Sequence, residues 1–255
     1  MRVWIIGFYL SIVLAGSSFA QEHEHGSGER LGAVHFSTSC NDGAQKEFDR
    51  AVALLHSFQF SKAIQGFNAA LKNDTTCGVA YWGIALSQWS NPFAAGRKDP
   101  AQLQAGRASV ELGKTTGAKT ERERAYIAAV GNLYSDFENT PQQARMLAYR
   151  DAMAELAAKY ATDHEAQIFY ALALAASEDP ADKTYAGRLK AGAILEKLFA
   201  EEPNHPGLAH YIIHTYDVPP LAPRALEAAR RYSEIAPDAP HALHMPSHTF
   251  TRTGY

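Results

Sequence analysis

The sequence predicts an all-α fold made of paired helices. Alanine is plentiful and runs of β-branched residues are scarce beyond residue 40, a composition that favours helices over strands. Apolar residues also recur at helical spacing along most of the chain. Near the C-terminus, proline and histidine residues reappear 34 positions apart, as in Pro206 and Pro240. We therefore expect about eleven helices joined in antiparallel hairpins, and no strand.

The first segment, residues 1–20, has the features of a Sec-type signal peptide. Arg2 precedes an apolar stretch over 3–15, and small residues lead to a cleavage site after Ala20. The apolar stretch is too short to span a bilayer, which takes about 20 residues. The segment predicts a periplasmic or secreted protein and not an integral membrane protein.

The mature chain is expected to begin with a flexible arm and to continue as one helical domain. Residues 21–42 are polar and rich in glycine and serine, which is typical of a flexible segment. The helical repeat domain then occupies 43–255. Its first two amphipathic helices, over 48–55 and 60–71, are close enough in sequence to pair as a hairpin. At Tyr255 the chain stops where the first helix of a repeat should turn into the second, so we expect the domain to be truncated there.

The middle of the domain is less regular than its two ends. Asp99 followed by Pro100 predicts a helix start, with proline at the first helical position. The segments 120–123 and 140–143 match the capping-box pattern of two further helix starts. These segments predict diverged helices inserted between recognisable repeats.

A period of 34 residues is clearest near the C-terminus. The pairs that carry it are Pro203 and Pro237, Pro206 and Pro240, His210 and His244, and His214 and His248. This helix-turn-helix period resembles that of tetratricopeptide repeats, in which hairpins stack because none buries its apolar face alone. The repeat motif is matched by Ala51, Ala63, Phe67, Ala70, Ala225 and Pro237. The resemblance implies a right-handed superhelical solenoid with a concave groove.

Longer stretches of the chain resemble a narrower group. The segments 31–40, 51–58, 77–86, 205–217 and 236–250 are together similar to exported bacterial tetratricopeptide-repeat proteins. That group has no settled activity, so the resemblance implies a fold and a compartment without a mechanism. By analogy with the fold, we expect a non-enzymatic scaffold that binds a protein or peptide partner in its groove.

Composition and missing motifs exclude several other functions. With 24 Lys and Arg against 27 Asp and Glu, the net charge is −3, which does not suit a nucleic-acid binder. The sequence has no phosphate-binding loop, dinucleotide fingerprint or Ser/His/Asp nucleophile motif, and no C-x-x-C-H motif for haem. No nucleotide or haem cofactor is therefore expected, and no feature indicates the oligomeric state.

The two cysteines, Cys40 and Cys77, are suited to an exported protein. An oxidising compartment allows them to form a disulfide, which is the pairing we expect. Two buried free thiols are the alternative.

The histidines are the one chemical signal. Five of the eleven fall between residues 210 and 248. His210 and His214 are spaced to share one helical face, and His244 and His248 take the equivalent places one repeat later. Neighbouring first helices of this fold lie side by side, about 10 Å apart, so the four imidazoles are expected to converge.

These histidines predict a metal site as the alternative function. His241 lies one turn before His244, and Asp217 follows His214 by about one turn, so either residue can complete the site. Imidazole ligands without thiolate suit Zn(II) or Cu(II) better than Mg or Ca. Pro246 complicates the pattern because it breaks the helix that carries His248. Buried structural histidines and a pH-sensitive binding groove remain open alternatives.

A groove that binds a peptide would need aromatic side chains. Trp82 and Trp89 lie a heptad apart, and with His56 and Tyr211 they are candidates to line it. Packing in the core is the alternative for the aromatic residues.

Overall fold

The computed structural model describes residues 28–94 and 96–255, and all regular structure in these ranges is helical. The α-helices are α1 (Asp42–His56), α2 (Phe60–Asn73), α3 (Ala80–Trp89), α4 (Pro100–Thr116), α5 (Glu121–Gly131), α6 (Gln142–Lys159), α7 (His164–Ala176), α8 (Ala186–Glu201), α9 (Pro206–Thr215), α10 (Leu226–Ile235), α11 (Pro240–His244) and α12 (Pro246–Thr253). Two short 3-10 helices, η1 (Asn132–Tyr134) and η2 (Ala222–Ala225), complete them. The expected signal peptide lies outside the described residues.

Helices adjacent in sequence pack against each other in pairs. Helix α1 packs on α2, α3 on α4, α7 on α8, and α9 on α10. Three residues, 57–59, connect α1 to α2, and nine or ten residues connect the helices of the other three pairs. Consecutive helices that pack side by side in this way form antiparallel hairpins. Only Met245 separates α11 from α12. If these two are counted as one helix, the described residues contain eleven α-helices, in agreement with the predicted number. The predicted all-α solenoid of hairpins is confirmed.

Several helix starts follow from local capping. The Asp99 side chain accepts hydrogen bonds from the first turn of α4, and Pro100 occupies its first position. Thr120 and Glu123 form the predicted capping box at the start of α5. Helix α6 begins at Gln142, after Pro141, without a side-chain cap. None of the described helices combines the length and apolar character needed to cross a membrane.

The segment over 28–41 is packed against the helices, so the expected flexible arm over 21–42 is wrong for this part. Phe36 is fully buried among aromatic side chains. Its backbone N–H donates to Asp49 Oδ1 at 2.9 Å, and that of Ser39 donates to Glu123 Oε1 at 2.6 Å. Buried apolar side chains and hydrogen bonds from the backbone to carboxylates hold this segment against the helices, although its polar composition suggested a flexible arm.

Helix α1 also contacts α9, far along the chain. The two helices meet where His56 Nδ1 lies 3.0 Å from the Tyr211 hydroxyl, 155 residues apart in sequence. Helix α7 contacts α9 at the same place. The inner face of the solenoid is therefore filled there by side chains, and the clustered histidines lie beside this closure.

The structure confirms the predicted disulfide between Cys40 and Cys77, which joins the packed N-terminal segment to the loop before α3.

We expect that replacing both cysteines with alanine lowers the free energy of unfolding by roughly 4 kcal/mol, because the bond closes a loop with a sequence separation of 37. Urea unfolding of the oxidised protein and the double variant measures the difference. Wild-type protein treated with dithiothreitol should match the variant, and equal midpoints for all samples would contradict the prediction.

Candidate metal centre

Helix α9 carries two histidines into the interior. All of its residues are buried, and it packs against α1, α7, α8 and α10. Pro206 occupies its first position, where the missing N–H breaks no helical hydrogen bond. The helical period places His210 and His214 one turn apart on one face. Two imidazoles are thus held inside the protein on a rigid element.

A third imidazole approaches the same point from the next repeat. His241 lies in the first turn of α11, and one ring nitrogen from each of His210, His214 and His241 lies within 4.8 Å of the others. The ring centres are 4.8 Å apart for His210 and His214, 4.7 Å for His210 and His241, and 6.1 Å for His214 and His241. Three imidazoles on one tetrahedral zinc have ring centres about 5 Å apart. We call these residues the three-histidine cluster.

A hydrogen bond fixes which nitrogen of the His210 ring is free. His210 Nδ1 lies 2.6 Å from the backbone carbonyl oxygen of His56, and only a protonated nitrogen can donate to that oxygen. The Nε2 of His210 therefore carries a lone pair. The Nε2 atoms of His210, His214 and His241 are all buried, and none has a hydrogen-bond partner within the described part of the chain. Three of the twelve buried side-chain atoms without a partner in the described residues belong to this one cluster, which points to a ligand there.

The surroundings of the cluster keep its imidazoles neutral. Burial, together with the neighbouring histidines, places the pKa of His210 well below its ordinary value. The same causes lower the pKa of His214 to about 3 and that of His241 to about 4. Neutral imidazole is the form that binds a metal ion, so the cluster is ready to bind one at neutral pH.

In the metal-free protein, we expect stability to fall as the pH drops below about 6.5, the ordinary pKa of histidine. The folded-state pKa of His214 is about 3, so over this interval the unfolded chain binds more protons, and acid favours unfolding. For His214 alone the slope is about 1.4 kcal/mol per pH unit. Urea unfolding between pH 7.5 and 5 measures it, and the His214→Phe variant should show a shallower slope. An identical slope in that variant would contradict the prediction.

Aromatic rings wall the cluster on one side. The Phe58 ring lies 4.4 Å from His210 and 5.4 Å from both His214 and His241, measured between ring centres. Phe58 has a left-handed backbone conformation, with φ of 54°, which is strained for a bulky residue. Phe93 stacks on His214 and Tyr232 stacks on His210. These contacts fix the imidazole rings and keep that side of the cluster apolar.

Three of the predicted ligands lie outside the cluster, nearer the surface. His248 Nδ1 is 3.0 Å from Asp217 Oδ2, and His248 Nε2 is 3.1 Å from His244 Nε2. Arg252 also binds Asp217. His244 is exposed, and the ring of His248 lies 6.5 Å from that of His214. His244, His248 and Asp217 thus form an outer group beside the buried one.

The short helix α11 carries one histidine of each group. Helix α11 ends at His244 and α12 begins at Pro246, so the α11 segment is only one turn long. His241, at the start of that turn, faces α9, whereas His244, at its end, faces solvent. The 34-residue period placed His244 opposite His210, but the residue that meets His210 is His241.

A second buried cluster was missed by the sequence analysis. His56 Nε2 lies 2.9 Å from Glu165 Oε2, and His205 Nε2 lies 3.1 Å from Glu165 Oε1. Burial raises the pKa of Glu165, but charge and hydrogen bonds from the two histidines outweigh it, and the pKa is lowered. The pairs are 109 and 40 residues apart in sequence, so no local spacing connects them.

The four residues proposed to line a peptide groove are buried. Trp82 is 0% exposed, Trp89 3%, His56 0% and Tyr211 1%. Trp82 packs among Phe36 and other aromatic rings. The aromatic residues therefore belong to the core, and His56 belongs to the second cluster.

No protein-family model and no curated protein matches this chain. A solved structure described as YrrB, a tetratricopeptide-repeat protein with an unusual peptide-binding site, shares 15% identity with it at a TM-score of 0.38. The match covers 79% of this chain and 90% of that chain. At that TM-score the backbones do not superpose closely, so the description of the fold rests on the helix pairing within this chain.

Proposed function

We propose that this chain is a metal-binding protein whose centre is the three-histidine cluster. The observation that carries the proposal is the set of three buried Nε2 atoms without hydrogen-bond partners in the described residues, on rings whose nitrogens converge within 4.8 Å. A purely structural role for these histidines would leave three polar atoms desolvated without compensation. A metal ion would satisfy all three at once.

The donor set favours Zn(II) or Cu(II). All three donors are imidazole nitrogens, and the cysteines are joined in a disulfide, so no thiolate competes for the ion. The hydrogen bond from His210 Nδ1 to the His56 carbonyl fixes the ring orientation, as partners of metal-bound histidines usually do. Three protein ligands leave one position of a tetrahedral ion free for water or a substrate group.

The outer group, His244, His248 and Asp217, lies on the side from which solvent can reach the three-histidine cluster. His241 is half-buried, and its ring lies 6.0 Å from that of the exposed His244. His248 and Asp217 continue the same polar side of the site. A ligand from solvent would therefore reach a bound ion from this side and not through the aromatic wall formed by Phe58.

Export to the periplasm or beyond remains part of the proposal. The disulfide between Cys40 and Cys77 supports it, because such bonds persist in oxidising compartments. Binding of a protein or peptide partner stays a prediction of the repeat fold, and it needs a surface other than the four buried residues first proposed.

Cobalt titration tests the proposed function. Metal-free full-length chain is titrated with Co(II), which reports its coordination through visible absorption. We expect the intense bands of four-coordinate cobalt, saturating with tight binding. The matched control is His164→Ala, which removes a partly exposed histidine paired with Glu202 and should leave the spectrum unchanged. The weak spectrum of hydrated cobalt, or intense bands that are unchanged in His241→Ala, would contradict the proposal.

A further inference from the structure

The second buried cluster joins three separate parts of the chain. His56 ends α1, Glu165 lies in the first turn of α7, and His205 immediately precedes α9. Their side chains are 0%, 5% and 1% exposed. One ligand atom from each lies within 4.8 Å of the others.

No Lys or Arg of the described residues forms a direct ion pair with Glu165, and the nearby Arg122 is paired with Asp163. Within the described residues, the only ion-pair partners of Glu165 are His56 and His205. If both imidazoles are neutral, each can donate Nε2–H to the carboxylate, but a buried negative charge remains. Buried charges are normally paired or bound to a metal ion. The cluster therefore calls for a cation, either a proton on one imidazole or a metal ion.

The rings are held in place before any cation binds. The Tyr211 hydroxyl lies 3.0 Å from His56 Nδ1, and Phe169 stacks on the His56 ring at 4.8 Å. Gly207 allows this position, because a Cβ there would lie 2.4 Å from His56 Nδ1. Nε2 of His56 is thereby aimed at Glu165. A fixed imidazole of this kind is typical of residues that bind metal ions.

A path from solvent reaches the carboxylate. An open surface pocket of about 360 Å³ reaches Glu165, and its lining also includes Arg122, Asp163, His164 and Glu202. Arg122 pairs with Asp163, and His164 pairs with Glu202, so neither of these basic side chains in the polar lining forms an ion pair with Glu165.

We propose that His56, Glu165 and His205 form a second metal site, which takes a divalent transition-metal ion such as Zn(II) or Fe(II). Two imidazole nitrogens and one carboxylate oxygen, with open positions beside them, are a donor set that such ions use. The site shares no ligand with the three-histidine cluster, so it does not depend on metal binding there. His56 connects the two, because its backbone carbonyl accepts the hydrogen bond from His210 Nδ1.

Zinc stoichiometry of the full-length chain tests this site. Each protein is loaded with Zn(II), dialysed against a weak chelator that strips surface ions, and assayed for bound zinc. We expect two equivalents in the wild type, one in Glu165→Gln and one in His241→Ala. The control is Glu138→Gln, which alters a glutamate that is 50% exposed, pairs with Arg107 and lies outside both clusters and the entry pocket, and it should retain two.

The outcomes separate the two sites. One equivalent in the wild type that survives in Glu165→Gln and is lost in His241→Ala would overturn the second site and leave the three-histidine centre standing. The reverse pattern would support the second site and contradict the first. If Glu165→Gln fails to fold, anomalous diffraction from zinc-loaded wild-type crystals decides, since a peak bonded to Glu165 supports the site and its absence overturns it.

Discussion

Replacing His241 with alanine is expected to abolish tight zinc binding at the three-histidine cluster while leaving the fold intact. His241 supplies one of three converging nitrogens, and its Nε2 has no other partner in the described residues. Loss of a partner that merely orients a metal ligand costs 10–100-fold in affinity, so loss of the ligand itself should cost more than about 100-fold. Because His241 is half-buried whereas His210 is fully buried, its removal leaves a smaller cavity than removal of His210 would.

Competition with a chromophoric chelator measures this loss. The matched control is His244→Ala, which removes an imidazole from the same helix, one turn later and outside the cluster. It should bind with nearly wild-type affinity at the tight site, and thermal unfolding without metal should be close to wild type for both variants. Equal affinity in His241→Ala and wild type, or an equal loss in His244→Ala, would show that the cluster is not the tight site.

Replacing Trp82 with alanine is expected to lower the free energy of unfolding by about 3–5 kcal/mol, the usual cost of truncating a large buried aromatic residue. Trp82 is 0% exposed. Its ring lies 4.9 Å from Phe36, 5.1 Å from Tyr126 and 5.2 Å from Phe169, between ring centres. The contact with Phe36 also means that this variant should loosen the N-terminal segment over 28–41.

Urea unfolding measures the loss, and limited proteolysis reports on the N-terminal segment. Tyr81→Ala is the matched control, since Tyr81 is the preceding residue on the same helix but is only partly buried. Its loss of stability should be clearly smaller. If both variants lost little and equal stability, Trp82 would not be a core residue, and its earlier assignment to a peptide groove would regain support.

Much of the fold follows from local sequence. Amphipathic spacing and capping residues such as Asp99 and Thr120 act within one or two turns, so they can be identified without knowing what the helix packs on. The disulfide could be predicted because there are only two cysteines. The packing of the segment around Phe36 could not be predicted. Its anchors, Asp49 and Glu123, lie on two different helices that come near the segment only in the folded chain.

The candidate site could be predicted only for residues that lie close together in the sequence. His210 and His214 share one helix, so their spacing was enough to place them on one face. The choice between His241 and His244 depends on how the short helix α11 is oriented toward His210 in the folded chain, which the period does not encode. The second cluster depends on α1 meeting α9, a contact across 155 residues that no repeat pattern predicts.

Anomalous diffraction from crystals of the zinc-loaded full-length chain, collected on both sides of the zinc absorption edge, tests the central claim most directly. We predict a zinc peak bonded to one nitrogen each of His210, His214 and His241, at about 2.0–2.1 Å. Zinc found only between His244 and His248 at the surface, with the three buried Nε2 atoms still unbound, would contradict it.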